Sequence, residues 1–306
     1  VCGTVFKLDE TGKETVLHTF TAGPDGADPE AGLVRDAAGT LYGTTYAGGG
    51  NACNYYQGCG TVFKVEPAGK ETVLYAFPGA GEAGFPPGLS SVLDAAGNLY
   101  GASGGGGAFD AGAVFKVDTS GTETVLYSFT GGTDGGFPSA GLIMDPAGNL
   151  YGTTSYGGGA SCQCGTVFKV DTAGRETVLY SFTGGTDGSS PSAALIRDMA
   201  GNLYGTTFAG GADNVGTVFK LDKTGKEAVL HSFTGGTDGS YPFAGLMRDA
   251  AGNLYGTASS GGAHGDGTVF KLGTTGAETV LHSFSGKDGA GPEGGLLMDA
   301  KGNLYS

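Results

Sequence analysis

The sequence predicts an all-β fold built from a repeated unit of four short antiparallel strands. Three phrases recur six times in the same order, and the segments between turn signals are short and rich in β-branched and aromatic residues. Glycine contributes 64 of the 306 residues, and no long segment has the apolar spacing of a helix. We therefore expect strands and turns throughout.

The three phrases define the repeat. The first, G-[TA]-V-F-K, begins at Gly3, Gly60, Gly112, Gly165, Gly216 and Gly267. The second, E-[TA]-V-L-[HY], begins at Glu14, Glu71, Glu123, Glu176, Glu227 and Glu278. The third, D-x-x-G-[NT]-L-Y, begins at Asp36, Asp94, Asp145, Asp198, Asp249 and Asp299. A period of about 51 residues is the size of a propeller blade or a solenoid unit.

One unit is enough to place the strands. We predict strand a at Ala194 to Asp198, strand b at Asn202 to Thr207, strand c at Thr217 to Leu221 and strand d at Glu227 to Phe233. Asp opens each intervening turn and Gly takes the positive-φ position.

These units predict a six-bladed β-propeller of four-stranded antiparallel blades, a single domain over residues 1–306 made of six repeats of about 51 residues. The chain begins on strands c and d, at Val1 to Phe20, and finishes on strands a and b, at Gly294 to Tyr305. Both ends can therefore share one closing blade. A linear solenoid is the alternative, but it would need polar capping units that the sequence lacks.

The phrases GTVFKLDETGKETVLHTF and GLVRDAAGTLYGTTYAGGG resemble the tandem repeats of bacterial choice-of-anchor tandem repeat GloVer-containing proteins, and the likeness covers essentially the whole chain. D-x-x-G-N-L-Y is also similar to the NHL-type propeller pattern. The resemblance implies an exported protein, so we expect an extracellular or cell-surface location. It supplies no catalytic residues.

Charge and hydropathy limit the partners. The 16 basic and 30 acidic residues give a formal charge of −14, which argues against binding nucleic acid or anionic lipid. No apolar stretch approaches the ~20 residues that a membrane span needs. The expected partners are a glycan, a protein or other copies of the chain, without nucleic acid or membrane insertion.

Any binding face should be the face that carries the b–c and d–a connections, because the b–c loops hold most of the variation. The candidate binding residues are Tyr46, Tyr55, Tyr56, Phe109, Tyr156, Phe208, Tyr241, His264 and Asp266. The aromatic residues are of the type that stacks on sugar rings or grips a partner, unless they pack onto the mouth of a central channel. His264 and Asp266 could act as a metal or acid–base pair, although solvated loop residues are commoner.

Repetition favours a structural reading of two other features. D-G-x-x-P recurs in the d–a loops, as at Asp187, and Asp-Gly is ordinary turn chemistry; calcium is the weaker alternative, and we expect no cofactor. His18, His231 and His282 occupy one position on strand d where other units have Tyr, and this interchange indicates a structural site.

The cysteines are expected to stabilise loops. Cys53 and Cys59 share one b–c loop, and we predict a disulfide between them. Cys162 and Cys164 lie in the corresponding loop of another repeat. They could form a disulfide, remain free thiols, or bind zinc together with two further ligands.

We therefore predict a non-catalytic extracellular or cell-surface module that has a structural or binding role and could assemble into fibres. The alternative is a propeller enzyme, a hydrolase or lyase, with its active site at the channel mouth. The join from Tyr305 to Gly3 is also shorter than the other b–c connections, so we expect the closing blade to need residues from a longer chain or from another copy.

Overall fold

A computed structural model describes residues 2–50, 58–78, 91–138, 140–159 and 162–306. These residues form five four-stranded and two two-stranded antiparallel sheets, and no helix occurs within those ranges. The architecture is thus all-β and repetitive, as predicted.

Each four-stranded sheet runs a–b–c–d in chain order. Sheet 1 contains β3 (Val34–Arg35), β4 (Leu41–Thr45), β5 (Thr61–Val65) and β6 (Glu71–Ala76). Sheet 2 contains β7 (Val92–Leu93), β8 (Leu99–Ser103), β9 (Ala113–Val117) and β10 (Glu123–Ser128). Sheet 3 contains β11 (Ile143–Met144), β12 (Leu150–Thr154), β13 (Thr166–Val170) and β14 (Glu176–Ser181). Sheet 4 contains β15 (Ile196–Arg197), β16 (Leu203–Thr207), β17 (Thr217–Leu221) and β18 (Glu227–Ser232). Sheet 5 contains β19 (Met247–Arg248), β20 (Leu254–Ala258), β21 (Thr268–Leu272) and β22 (Glu278–Ser283).

The two-stranded sheets are formed by the strands nearest the ends of the chain. They are β1 (Thr4–Leu8) with β2 (Glu14–Thr19), and β23 (Leu297–Met298) with β24 (Leu304–Tyr305). Strands b, c and d lie where the sequence predicts them. Strand a is shorter than predicted: β15 contributes only the pairs Ile196 with Tyr204 and Arg197 with Leu203.

The phrase D-x-x-G-N-L-Y is a hydrogen-bonded turn between strands a and b. In sheet 4 the Asn202 backbone N–H and side-chain amide donate to the two carboxylate oxygens of Asp198, each at 2.8 Å. The Tyr204 hydroxyl donates to the same carboxylate at 3.0 Å. Burial disfavours the ionised form of Asp198 and so raises its pKa. The hydrogen-bond donors favour the ionised form more strongly, so the net effect is a lowered pKa for Asp198. The phrase recurs because each of its polar side chains completes this turn.

Strands c and d are joined with a bulge that sets which side chains share a face. In sheet 4, Val218 pairs with His231 and Phe219 pairs with Val229, so Leu230 is the extra residue. Lys220 pairs with Ala228, and its ammonium lies 5.8 Å from the centre of the Tyr204 ring. Glu227 pairs with Leu221, so Glu227 and Lys220 lie on opposite faces of the sheet.

Successive sheets pack through phenylalanines. The Phe that follows strand d contacts the strand-c Phe of the next sheet edge-on, with ring centres about 5 Å apart. The pairs are Phe20–Phe63 at 5.0 Å, Phe77–Phe115 at 5.4 Å, Phe182–Phe219 at 5.1 Å and Phe233–Phe270 at 5.2 Å. All eight rings are almost inaccessible to solvent, so they form the core between sheets.

The packing of these phenylalanines requires the glycine of the L-Y-G-T phrase. A Cβ atom built on Gly205 of β16 would lie 2.7 Å from Cζ of Phe219 and 2.9 Å from Cδ2 of Leu195. No side chain fits at this position unless the Phe ring leaves the core.

The chain divides into two compact units. The first comprises residues 1–131, 136–150 and 170–176, and the second comprises residues 132–135, 151–169 and 177–306. A single domain over residues 1–306 stays a prediction.

The sheet of β1 and β2 exposes positions that the four-stranded sheets bury. Phe6 and Leu8 are 51% and 59% exposed, whereas the equivalent Phe219 and Leu221 are 0% and 1% exposed. β1 pairs only with β2 among the described strands, whereas each strand c of sheets 1 to 5 pairs on both edges.

We predict that Phe219→Ala lowers the free energy of unfolding by about 3–5 kcal/mol, because it removes a buried ring and leaves a cavity between sheets. Phe208→Ala, in an exposed loop, should cost about 1 kcal/mol or less. Chemical denaturation of both variants measures the difference. Equal losses would show that the loops carry as much stability as the core between sheets.

Candidate functional site

The b–c loop of a sheet and the d–a loop that enters the same sheet are hydrogen-bonded to each other. Ala27 and Ala47 exchange two backbone hydrogen bonds of 2.7 and 3.0 Å, and the Ser189–Ala209 and Ser240–Ser260 pairs repeat this bridge. The two kinds of loop therefore form one surface, which we call the loop face.

Three aromatic rings cluster on the loop face of the second unit. Phe208, in the b–c loop of sheet 4, stacks on Tyr241 with ring centres 5.0 Å apart and planes inclined by 29°. Phe243 meets the Phe208 ring edge-on at 6.2 Å. Phe208 is 37% exposed, and the other two rings are half-buried. This group, the aromatic cluster, is partly accessible to solvent.

Tyr241 holds an unusual backbone conformation in this cluster. Its φ is 55°, a region that bulky residues seldom adopt. Its N–H donates to the Val215 carbonyl at 2.8 Å, and its carbonyl accepts the Ser259 N–H and hydroxyl. Gly291 fills the same repeat position with a φ of 58°. The fold therefore accepts glycine there, so the Tyr241 ring is not required to form the turn.

The remaining predicted binding residues lie on loops, some in each compact unit. Tyr46 and Tyr156 are exposed, and Phe109 is the most exposed at 61%. His264 is exposed and Asp266 is half-buried, and in the described part of the chain no hydrogen bond or ion pair joins them. Tyr55 and Tyr56 lie outside the described residues.

Sequence reasoning missed a set of positions at the start of strand a. In three successive repeats, a Thr of the preceding strand b donates to a backbone carbonyl just before strand a: Thr153 to Ala193, Thr206 to Ala244 and Thr257 to Gly294, at 3.3 to 3.4 Å. The residues immediately before these carbonyls are Ser192, Phe243 and Glu293, and we call them the start positions. They share one backbone arrangement but differ in chemistry. The phrase P-x-[AG]-[AG]-L, in which x is the start position, could have revealed these positions in the sequence.

The repeated Asp-Gly motif is a structural turn. In the second unit, Thr183 donates to both oxygens of Asp187, through its N–H at 2.8 Å and its hydroxyl at 2.6 Å. The Tyr180 hydroxyl donates to Oδ2 at 2.9 Å. These oxygens are already used by protein donors. Within the described residues, no group of three or more His, Cys, Asp or Glu side chains could hold a metal ion.

The strand-d histidines contact the same carboxylates. His231 Nε2 lies 3.3 Å from Asp238 Oδ2, an ion-pair distance outside good hydrogen-bond geometry, and the corresponding His282–Asp288 contact is 2.8 Å. Burial lowers the pKa of His231, and the nearby Asp238 opposes this shift only in part. His and Tyr thus perform one packing and bonding role at this position.

The cysteine expectations have separate outcomes. Cys162 and Cys164 form a disulfide, so the expectation of free thiols or zinc ligands at this pair is excluded. Cys59 is buried and disulfide-bonded. Its predicted partner, Cys53, lies outside the described residues, and the Cys53–Cys59 pairing stays a prediction.

Repeated four-stranded antiparallel sheets joined through loops on one face make the architecture β-propeller-like. The model of the Gloeobacter/Verrucomicrobia repeat matches residues 1–162 and 145–306, which together cover the whole chain. The chain therefore belongs to the Gloeobacter/Verrucomicrobia repeat family, as its phrases predicted. A search of curated proteins found no match. In the described residues there is no helix that could cross a bilayer.

Solved structures share this fold at low identity. One is a gluconolactonase from Xanthomonas campestris, with 16% identity, a TM-score of 0.53, and coverage of 92% of this chain and 83% of that one. A second is a putative 6-phosphogluconolactonase from Bacteroides uniformis, with 17% identity, a TM-score of 0.56, and coverage of 90% and 76%. A third is a luciferin-regenerating enzyme, with 13% identity, a TM-score of 0.51, and coverage of 84% and 76%.

These likenesses correct the main functional prediction. At such identities they establish the fold alone, but proteins described as enzymes use that fold over most of this chain's length. The prediction of a non-catalytic structural or fibre-forming module is therefore wrong. Catalytic side chains occupy only a few positions on a propeller scaffold, so repeated units do not argue against catalysis.

We predict that His231→Tyr preserves stability, because Tyr180 already bonds Asp187 from the equivalent position. His231→Ala should lower the free energy of unfolding by about 1–3 kcal/mol, because it empties a partly buried site and leaves Asp238 with fewer partners. Since the folded-state pKa of His231 is lowered, its contribution is lost as the pH falls below about 6.5. Thermal unfolding at about pH 5 and about pH 7.5 should show this acid loss in the wild type and a smaller loss in His231→Tyr.

Proposed function

We propose that this protein is a hydrolase that acts on a small, ring-shaped ester, with a sugar lactone as the substrate class. The observation that carries the proposal is the aromatic cluster beside the start positions of the same unit. It offers an exposed apolar surface for a ring, and one start position offers a carboxylate. The lactonase descriptions of two proteins with this fold support the choice of substrate.

Phe208, Tyr241 and Phe243 hold the substrate in this proposal. Aromatic faces bind the C–H face of a sugar ring while polar groups remain free to fix its orientation. Phe243 belongs to both the aromatic cluster and the start positions. Glu293 holds the repeat position that is equivalent to Phe243.

Glu293 acts as the general base in this proposal. Its side chain is exposed at a start position, and the Thr257 hydroxyl fixes the carbonyl of the next residue at 3.3 Å. The carboxylate takes a proton from water as the water oxygen attacks the ester carbonyl. The ring C–O bond then breaks, and the leaving oxygen receives the proton. Lactone and water thus give one hydroxy acid.

We also propose that the sheets close into a six-bladed ring, in which β23 and β24 add to β1 and β2. The exposed Phe6 and Leu8 support this, because their equivalents are buried wherever strand c has a strand-b neighbour. The register of sheet 4, with Tyr204 opposite Lys220, would place Tyr305 opposite Lys7.

An extracellular or cell-surface location remains part of the proposal. The family resemblance and the Cys162–Cys164 disulfide support it, because disulfides persist in oxidising compartments. The partner that we propose is a small sugar-derived molecule.

The activity is tested with glucono-δ-lactone in a pH-stat, with correction for spontaneous hydrolysis. The wild type should accelerate acid release, and Glu293→Gln should lower kcat by roughly 10²–10⁴-fold. Phe208→Ala should raise KM with a smaller effect on kcat. Glu10→Gln, in an exposed turn, is the matched control. No acceleration by the wild type, or full activity in Glu293→Gln, would contradict the proposal.

Ring closure is tested with the double variant Lys7→Cys/Tyr305→Cys. Directly opposed residues on neighbouring strands lie close enough for a disulfide, so oxidation should give a cross-linked monomer that runs faster on a non-reducing gel. Each single variant is a control. Cross-linked dimers without cross-linked monomers would contradict closure within one chain.

A further inference from the structure

One side chain at the junction of successive sheets lacks a partner. Glu227 is the first residue of β18, and its Oε1 atom is buried without a hydrogen-bond partner. The side chain as a whole is half-buried. The junction that it enters is lined by β14 and by the loop that follows β14, both from the preceding repeat. A carboxylate oxygen without a donor in such a place is unfavourable when ionised.

The acidic neighbour from the preceding repeat cannot supply the missing hydrogen-bond donor. Asp187, from the loop after β14, acts electrostatically on Glu227. The oxygens of Asp187 already accept from Thr183 and Tyr180. These donors, acting against burial, lower the pKa of Asp187 and keep it ionised. Glu227 therefore lies beside a fixed negative charge.

In the described part of the chain, no positive charge offsets the pair of Glu227 and Asp187. On its own sheet, Glu227 pairs with the apolar Leu221. Lys220 lies on the other face, over Tyr204, and Lys226 is exposed in the turn. From β14, Tyr180 faces Glu227 as a neutral donor that is committed to Asp187. Among the described residues, no ion pair reaches Glu227.

The arrangement recurs in both compact units. Glu278 has a buried, unpartnered Oε1 and experiences the charge of Asp238, which contacts His231. Glu71 has the same unpartnered atom and experiences the charge of Asp25, which contacts His18. In these two junctions a histidine replaces Tyr180. The junction at Glu227 is therefore the simplest, because no imidazole titrates within it.

We propose that the junction between Glu227 and Asp187 is a proton-dependent latch between successive sheets, closed when Glu227 is protonated and loosened when it is ionised. A protonated carboxyl group is neutral beside Asp187 and loses the like-charge repulsion. Ionisation restores that repulsion where β18 meets the preceding repeat. The latch is a property of the scaffold and does not depend on the proposed enzymatic activity.

The direction of titration agrees with this geometry. Burial, and then the charge of Asp187, raise the pKa of Glu227 from 4.5 to about 7. Because the folded protein binds this proton more tightly than the unfolded chain, stability is full below about pH 4.5 and falls as the pH rises towards about 7. Neutral pH is thus the region in which the latch changes state.

The test compares the unfolding equilibrium of the wild type and Glu227→Gln across about pH 5 to 8. Glutamine keeps the shape and removes the charge. The unfolding constant of the wild type should rise on the order of tenfold more over this range than that of Glu227→Gln, after allowance for solvent screening. Glu14→Gln is the matched control, because Glu14 holds the same repeat position on β2 but is exposed. It should follow the wild type.

Hydrogen exchange localises the effect. Backbone amides of β14 and β18 should lose protection as the pH rises in the wild type, relative to the same amides in Glu227→Gln at each pH. If Glu227→Gln does not fold, the infrared band of a protonated carboxyl group in the wild type at about pH 6, absent at about pH 8.5, tests the same state. Identical pH profiles for wild type and Glu227→Gln, or the absence of that band, would overturn the proposal.

Discussion

The edge-on contact between a strand-c phenylalanine and the phenylalanine after strand d of the preceding sheet is the constraint on which the rest of this structure depends. The ring of Phe219 contacts Phe182 at 5.1 Å and also occupies the space that a side chain on Gly205 would need. One contact therefore requires aromatic residues in two repeats and glycine in the strand between them. Since a four-stranded sheet of this size has little core of its own, burial between sheets supplies most of its apolar stabilisation. The loops that differ among repeats lie outside this contact, so they can vary without loss of the fold.

Sequence reasoning succeeded where a residue pattern has one local solution. D-x-x-G-N-L-Y predicts a turn because Asp, Gly, Asn and Tyr each complete a bond within a few residues, as Asp198 and Tyr204 do. It failed where the partner comes from another repeat. Strand a was predicted too long, and the bond from Thr206 to the Ala244 carbonyl of the next repeat was not foreseen. The bond from Tyr180 to Asp187 was also not foreseen, although both residues belong to one repeat.

The functional correction also has a physical origin. Repetition shows which residues the scaffold needs, and the strand-d histidines were rightly assigned to it. It says nothing about positions where the backbone repeats but the side chain does not. Ser192, Phe243 and Glu293 follow the same backbone path, fixed by equivalent threonine bonds, yet they are a hydroxyl, a ring and a carboxylate. Tyr241 likewise keeps a φ of 55° where Gly291 fills the equivalent position. Such positions are where a repeated scaffold can acquire chemistry at small cost to folding.

The junctions that hold the sheets together also explain why a titrating group is retained in each of them. The turn of one c–d hairpin lies against strand d of the preceding repeat: a Cβ atom on Gly225 would be 3.2 Å from the Leu179 carbonyl oxygen. Glu227 is two residues beyond that glycine, so the approach that aligns the phenylalanines also brings its carboxyl group into the junction. The aspartate there is already bonded by its own turn. Close packing and local turn chemistry, each favourable alone, thus place two carboxyl groups together. At neutral pH the free energy of the pair is lowest when one of the two carboxyl groups keeps its proton.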